Sequence, residues 1–291
     1  MRFAKMHGIG NDFVMVDAVR SGLPRENLAD LSRAICDRNL GVGADGLIFA
    51  LRGSTTDFLM RMFNPDGSES EMCGNGVRCF AKFVTDHGHT SSAFIDVETG
   101  NGILRLETLA DGQVKVMMGK ARLTRGEIGM TGDPSAEFIA QPIESGGRTI
   151  SATAVSIGNP HLVTFVEPDE ILDLPVRGRE LEHSPLFPER TNVHFVTVLG
   201  PNRLKQVTWE RGAGATLACG TGACACAVAS YLNGHTGREV TVDLPGGTLQ
   251  IEYAESGEVY MTGPAETVFE GEWLAPASPA PVPTLAESPS S

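Results

Sequence analysis

The stretch that decides the fold of this chain is Glu71-Met72-Cys73-Gly74-Asn75-Gly76-Val77-Arg78-Cys79, because a related stretch follows near the other end. The second stretch reads Cys219-Gly220-Thr221-Gly222-Ala223. Each one is Cys-Gly-x-Gly running into an apolar segment with helical spacing, and the two cysteines lie 219 − 73 = 146 residues apart in a chain of 291. The repetition predicts a duplicated fold that carries one such cysteine in each half.

The length and composition favour two domains and a small-molecule partner. A chain of 291 residues corresponds to two domains of about 150 residues each. The net charge of −13 and the pI near 5.0 argue against binding to nucleic acid or to an anionic membrane. No apolar run reaches the roughly 18 residues of a membrane span, and residues 1–7 lack the apolar core of a signal peptide, so we expect a cytoplasmic protein.

Apolar spacing predicts that a helix follows each of the two cysteines. Gly88 ends the helix after Cys73, and Gly234 ends the helix after Cys219. Short strands separated by glycine turns are predicted within residues 93–119 and, in the second half, on both sides of the helix. Each helix is therefore expected to have strands around it.

The change between domains is placed near Lys120, where a weakly patterned segment begins. This gives a first domain of residues 1–119 with a return at about 265–275, and a second domain of residues 120–264. Residues 276–291 are rich in Pro, Ala and Ser, which bury too little apolar surface to order a chain, so a disordered tail is predicted.

Cysteines at helix starts suggest acid and base chemistry. The unpaired N–H groups and the dipole at a helix N-terminus stabilise a thiolate, so its pKa is expected to fall from about 8.5 toward neutrality. The same groups bind carboxylates. Two such sites predict a cleft with a thiol on either side of the ligand, where one thiolate removes a proton from carbon and the opposite thiol returns one.

Simpler interpretations apply to most cysteines. A lone cysteine before a helix is more often a small packed residue, and only the repetition favours a functional role for Cys73 and Cys219. Cys79, Cys224 and Cys226 lie inside the helices and are interpreted as core. No C-x-x-C or His-x-x-x-His spacing supports zinc, and the glycine-rich residues 41–46 lack a nucleotide motif, so no metal or cofactor is expected.

The sequence resembles the diaminopimelate epimerase family from residue 1 to about residue 273. The resemblance rests on ordered motifs: Lys5-Met6-His7-Gly8-Ile9-Gly10-Asn11-Asp12-Phe13, residues 64–83, Gly158-Asn159-Pro160-His161, Pro188-Glu189-Arg190-Thr191-Asn192, residues 210–223 and Leu244-Pro245-Gly246-Gly247. Members of this family interconvert LL- and meso-diaminopimelate without pyridoxal phosphate, in lysine and peptidoglycan precursor biosynthesis.

The resemblance implies an α+β fold of two pseudo-symmetric domains, each a curled, mostly antiparallel sheet around a central helix, with the active site in the cleft between them. It implies that Cys73 and Cys219 are the acid and base, supported by His161 and Glu210. It further implies a homodimer with Phe269 near the contact. The substrate-binding positions that it implies are Asn11, Asn64, Gly74, Asn75, Asn159, Asn192, Glu210, Arg211, Gly220 and Thr221.

These residue types suit a ligand with two amino-acid ends. An arginine such as Arg211 can form paired hydrogen bonds with a distal carboxylate, while amide oxygens and a glutamate accept hydrogen bonds from ammonium groups. The sequence departs from the family at two positions. Gly46 stands where some members have glutamine, and Ala215 stands where many have glutamate, so each removes a polar side chain from the expected pocket.

Two other functions remain open from the sequence. Proline and hydroxyproline racemases share the paired-cysteine plan, but a proline ring has no distal carboxylate for Arg211. A dithiol redox or metal-binding protein could also place two cysteines across a cleft, and such thiols would be open to oxidation.

Overall fold

The computed structural model describes residues 1–70, 73–168, 170 and 173–274. The tail predicted for residues 276–291 lies outside the described residues. The first ten elements are β1 (Arg2–Gly8), β2 (Asn11–Asp17), α1 (Leu28–Cys36), β3 (Gly46–Arg52), β4 (Phe58–Phe63), β5 (Glu69–Ser70), α2 (Gly74–Asp86), β6 (Phe94–Thr99), β7 (Gly102–Thr108) and β8 (Val114–Lys120).

The connection to the second half contains α3 (Arg125–Ile128) and β9 (Gln141–Ser145). The second set of ten elements is β10 (Arg148–Ser156), β11 (Pro160–Phe165), α4 (Leu174–Glu182), β12 (Asn192–Gly200), β13 (Arg203–Glu210), β14 (Gly214–Thr216), α5 (Gly220–Leu232), β15 (Glu239–Leu244), β16 (Gly247–Tyr253) and β17 (Glu258–Gly263). A last strand, β18 (Glu266–Glu272), pairs with β1.

The two sets of ten elements repeat the same connections. In the first half β2 pairs in parallel with β3 and β4 in parallel with β6, and the remaining pairs are antiparallel. The second half repeats these parallel pairs as β11 with β12 and β13 with β15. The predicted α+β fold of two pseudo-symmetric, mostly antiparallel halves is confirmed. The residue limits of the two domains stay a prediction.

The halves join where β8 pairs antiparallel with β17. These two strands occupy equivalent positions in the two halves of the repeat. The turn before each strand contains a glycine with positive φ, Gly112 in the first half and Gly257 in the second, which are 257 − 112 = 145 residues apart. With that offset Val116 corresponds to Met261, and these two residues are paired directly. The local two-fold relation between the halves therefore passes through this pair.

The central helices share one core. Phe80 of α2 and Val228 of α5 are fully buried in the same hydrophobic cluster. The outer helices cover separate clusters, with Ile35 of α1 packed near Phe49 and Leu181 of α4 near Phe195. The strands of each half thus pack against the central helix on one face, and the outer helix covers part of the other face.

Helix α4 lies in a segment for which no helix was predicted. Its Asp173 N-cap accepts a hydrogen bond from the Val176 amide at 3.3 Å, which satisfies one open N–H group. Its apolar pattern is weak, and Gly178 gives it close packing: a Cβ there would lie 2.5 Å from Trp209 Cγ. Tertiary packing rather than apolar periodicity therefore explains this helix.

None of the described helices is both long and apolar enough to cross a membrane.

Arg78 of α2 is a buried cation with no exposed surface. It donates to Asn75 Oδ1 at 3.0 Å, to the Gly74 carbonyl at 3.3 Å and to the Pro264 carbonyl at 3.2 Å. Among the described residues no carboxylate lies within 4.0 Å of its guanidinium. These hydrogen bonds tie the first turn of α2 to the junction between β17 and β18.

Candidate active site

Both predicted thiols lie at the position where a central helix begins. Cys73 is the N-cap of α2 and has extended backbone angles of φ −138° and ψ 117°. Cys219 is the N-cap of α5, with φ −127° and ψ 101°. The glycine that follows each cysteine starts the helix, so the first amide groups of α2 and α5 point toward the same region as the thiols.

A cleft of about 780 Å³ lies between the two helix starts, and both thiols line it. The structure brings most of the predicted site residues to its walls. These are Asn11, Asn64, Gly74, Asn75, Asn159, Glu210, Arg211, Gly220 and Thr221. His161 and Asn192 do not line the cleft but lie behind it, where they contact residues that do.

The Cys73 side of the cleft is organised around Asn11. Its Oδ1 accepts hydrogen bonds from Cys73 Sγ at 3.5 Å and from Asn75 Nδ2 at 3.2 Å. Its Nδ2 donates to Asp45 Oδ2 at 2.7 Å, and Asp45 also accepts from Arg38 at 2.8 Å. Asn11 is thereby held with its oxygen toward the thiol.

Sequence reasoning missed Asp45 and Arg38, although both line the cleft. Arg38 also donates to Asp12 at 2.8 Å, and Asp12 is paired with the buried Lys5. The available signal was Asp45 itself, a lone carboxylate in a glycine-rich loop. Asn101 was missed as well, because it lies in a turn between β6 and β7, where asparagine is common.

The Cys219 side has a chain of polar contacts that runs inward. Cys219 Sγ lies 3.8 Å from Thr221 Oγ1, which accepts from Asn159 Nδ2 at 3.4 Å. Asn159 Oδ1 lies 2.8 Å from His161 Nε2, and His161 Nδ1 lies 2.9 Å from His194 Nε2. His161 therefore reaches the cleft through Asn159, and His194 is a buried partner that the sequence analysis did not identify.

Asn192 positions its neighbours. Its Oδ1 accepts from the Arg211 amide at 3.0 Å and its Nδ2 donates to the Pro160 carbonyl at 2.9 Å. Both ends of the amide are used, and the residue is only 4% exposed. The side chain thus fixes the backbone of Arg211, while Glu210 beside it accepts from Thr216 Oγ1 at 2.5 Å.

The expected lowering of the thiol pKa values was wrong for this structure. Burial raises the pKa of Cys73, and the nearby amides of Gly76 and Asn75 lower it by less. Burial, followed by the charge of Glu210, raises the pKa of Cys219 well above its ordinary value. Burial also raises the pKa of Glu210. Loss of water outweighs the helix N-terminus, because a thiolate in a partly dry cleft loses hydration.

The structure shows what surrounds Gly46 and Ala215, the two positions that depart from the family pattern. A Cβ at Gly46 would lie 2.9 Å from Met62 Cε and 3.2 Å from the Phe63 carbonyl oxygen, so a side chain here would require the end of the Met62 side chain to move. Ala215 lines the cleft and is paired with Trp209. The interpretation of Cys79, Cys224 and Cys226 as core is confirmed, since all three are fully buried.

Comparison with known proteins gives consistent matches. The diaminopimelate epimerase family model matches residues 3–124 and 153–268. A diaminopimelate epimerase from Pelotomaculum thermopropionicum is 49% identical over 277 residues, covering 94% of this chain and 99% of that protein. One from Trichodesmium erythraeum is 50% identical over 272 residues, covering 92% and 98%.

Solved structures share the fold at low sequence identity. A phenazine biosynthesis protein of the PhzF family from Bacillus anthracis matches with a TM-score of 0.69 at 18% identity, covering 94% of this chain and 99% of that chain. A hydroxyproline epimerase from Agrobacterium vitis matches with a TM-score of 0.66 at 15% identity, covering 93% and 91%. At these identities the similarity is evidence of fold alone.

The cleft with its two cysteines and the matched relatives together define the class as an isomerase of the epimerase type. The sequence matches are more specific than the fold. The chain belongs to the diaminopimelate epimerase family.

Gly222 in the first turn of α5 offers a test of the site geometry. A Cβ at this position would lie 2.3 Å from His194 Cε1 and 3.0 Å from Cys219 Sγ. Gly222→Ala should therefore displace the thiol and lower kcat about 10²-fold, as expected for a shift of about 1 Å at a reacting group. Steady-state turnover measures the effect.

The matched control is Gly237→Ala, because a Cβ at Gly237 would have no atom of the described part of the chain within 4 Å. This variant should keep wild-type turnover. Equal activity of the two variants would contradict the placement of Cys219 against Gly222.

Proposed function

We propose that this protein is a cofactor-independent epimerase that interconverts LL- and meso-diaminopimelate by a mechanism with two thiols. The observation that carries the proposal is the position of Cys73 and Cys219 at the starts of two helices on the same cleft. The family matches support diaminopimelate as the substrate. The resulting role is in lysine and peptidoglycan precursor biosynthesis.

In the proposed mechanism the reacting carboxylate lies against the helix starts, where it accepts hydrogen bonds from backbone N–H groups of Gly74, Asn75, Gly220 and Thr221. These donors also stabilise negative charge as the α-carbon becomes planar. One thiolate removes the α-proton, so a C–H bond breaks and an S–H bond forms. The opposite thiol then donates its proton, and a new C–H bond forms on the other face.

The distal amino-acid end of the substrate is assigned to the polar walls. Arg211 supplies the cation for the distal carboxylate, and its backbone is fixed by Asn192. Asn64, Asn159 and Glu210 supply acceptors for ammonium groups. The similarity to a hydroxyproline epimerase concerns the fold, and a wall with this many polar groups suits a longer substrate than a proline ring.

Proton exchange with solvent tests the two-thiol mechanism. In D2O the wild-type protein should place deuterium at the α-carbon of diaminopimelate. Cys73→Ala and Cys219→Ala should each lose about 10³-fold or more in epimerisation, because each removes one acid or base group. Proton NMR follows the exchange and chiral chromatography follows the product.

Cys36→Ala is the control for loss of a thiol, since Cys36 is buried in a different cluster beside Ser32. Its epimerase activity should remain near that of the wild type. The mechanism fails if either site variant epimerises at the wild-type rate, and loss of activity in the Cys36 variant would indicate general thiol sensitivity.

The raised thiol pKa values predict the pH profile. Burial raises the pKa of both Cys73 and Cys219, so both thiols are protonated near neutral pH in the free protein. The base must first lose its proton, and the thiolate fraction increases about tenfold for each pH unit below the pKa. Thus kcat/KM should rise as the pH is raised from about 6 to about 8, and a flat profile over that range would show a base that is already ionised.

We further propose a homodimer in which β18 forms the contact. Among the described residues β18 pairs only with β1, which leaves one edge of the strand open. Val268 and Phe269 on it are 57% and 47% exposed. An open strand edge with exposed apolar side chains favours association with a second copy.

Light scattering after size exclusion tests this contact. Phe269→Glu should shift the protein toward a monomer, because it buries a charge in the proposed interface. Phe94→Glu is the matched control, since Phe94 is 56% exposed on β6. A dimer unaffected by Phe269→Glu would place the contact elsewhere.

A further inference from the structure

A cluster of buried ligating groups lies behind the cleft on the Cys219 side. It consists of His161, His194 and Cys219, whose nitrogen and sulfur atoms lie within 4.8 Å of one another. The two histidines have no exposed surface, and Cys219 is 6% exposed. Two imidazoles and a thiolate are a ligand set that suits zinc, which binds nitrogen at about 2.0–2.1 Å and sulfur at about 2.3 Å.

The outer nitrogen of each imidazole already has a partner. His161 Nε2 donates to Asn159 Oδ1 at 2.8 Å, because an amide oxygen can only accept. His194 Nδ1 lies 3.0 Å from Thr208 Oγ1. Histidine ligands of metals commonly use the outer nitrogen in this way, which fixes the ring and leaves the inner nitrogen for the ion.

The inner nitrogens, His161 Nδ1 and His194 Nε2, point at each other at 2.9 Å. Since His161 carries its proton on Nε2, His194 Nε2 must donate to it when no ion is bound. Moving the proton of His194 to Nδ1 would leave two lone pairs converging on one point. Two facing lone pairs of this kind can bind a cation.

Thr208 Oγ1 can accept the proton that this rearrangement places on His194 Nδ1, and Gln206 offers a second acceptor beside it. The side chain of Gln206 is fully buried, and its Oε1 has no hydrogen-bond partner among the residues that the structure describes. Its Nε2 lies 3.3 Å from His194 Nδ1, so rotating the amide by half a turn would bring Oε1 to that nitrogen. An unused buried acceptor beside the ring therefore matches the proton position of the ion-bound state.

The duplicated fold does not require these polar groups. The strand registers make Phe13 the counterpart of His161 and Ile48 the counterpart of His194. Met62 likewise corresponds to Thr208. In the first half a Cβ at Gly76 would meet Ile48, as a Cβ at Gly222 would meet His194 in the second. The same packing positions are therefore apolar in the first half and polar in the second.

We propose that His161, His194 and Cys219 form a binding site for a thiophilic divalent cation such as Zn2+, with the fourth position open to the cleft. As the sulfur–zinc bond forms, the Cys219 proton is released to solvent. The bound thiolate cannot take or give a proton at carbon, so occupancy should inhibit turnover. That inhibition rests on the proposed function, whereas binding itself does not.

Direct binding tests the site independently of catalysis. Zn2+ is titrated into reduced protein in competition with a metallochromic chelator. His194→Gln should bind at least about tenfold more weakly than the wild type, because it removes one ligand. His235→Gln is the matched control, since His235 is exposed beyond the end of α5, and it should bind as the wild type does.

Two cysteine variants separate this site from a simple bridge between the facing thiols. Cys73→Ala should keep the wild-type zinc affinity within about threefold, whereas Cys219→Ala should lose at least about tenfold. Equal loss in both variants would assign the ion to the thiol pair and overturn the proposal. Circular dichroism and thermal melts show whether each variant is folded.

Binding of Co2+ gives a spectroscopic test of the site. Co2+ bound to Cys219 should produce a thiolate-to-metal charge-transfer band in the near ultraviolet, and this band should persist in Cys73→Ala. Absence of the band in the wild type would overturn the site without reference to any variant. Zinc that binds but leaves epimerisation unchanged would disprove the inhibition, and absent epimerisation in metal-free protein would instead disprove the proposed function.

Discussion

The antiparallel pairing of β8 with β17 is the constraint on which the cleft depends. These strands are counterparts, so their pairing brings the two halves together in a fixed orientation with α2 and α5 in one core. Arg78 adds a second connection, since it joins the first turn of α2 to Pro264 beyond β17. Burying a guanidinium without a carboxylate costs free energy unless its N–H groups are hydrogen-bonded. The helix start that carries Cys73 is therefore held by bonds that cross the boundary between the halves.

Much of the fold could be predicted from the sequence, because the patterns that specify it lie within short segments or occur twice in the chain. Apolar spacing after Cys73 and Cys219 defined the central helices, and the repeated motif indicated duplication. Helix α4 could not be predicted in this way, since its packing depends on Gly178 meeting Trp209 from a distant strand.

The site was predictable to the same extent. Residues inside motifs were identified, and the structure places nearly all of them on one cleft. Asp45 and His194 were not identified from the sequence. Their roles depend on contacts with Asn11 and His161, which sequence spacing does not reveal. The thiol pKa values were predicted with the wrong sign for a related reason: the helix end is visible in sequence, but the loss of water around it follows from burial.

The two halves of the fold are nearly symmetric, but the surroundings of Cys73 and Cys219 differ. One thiol contacts an asparagine held by a carboxylate and an arginine, while the other lies near buried neutral imidazoles. In the proposed mechanism the two directions of the reaction exchange the roles of acid and base, so each direction starts from a different chemical environment. The overall equilibrium is a property of the two epimers alone and cannot respond to this difference. The asymmetry can therefore change the individual kcat and KM values of the two directions. The ratio of kcat/KM between the directions stays equal to the equilibrium constant, as the Haldane relation requires.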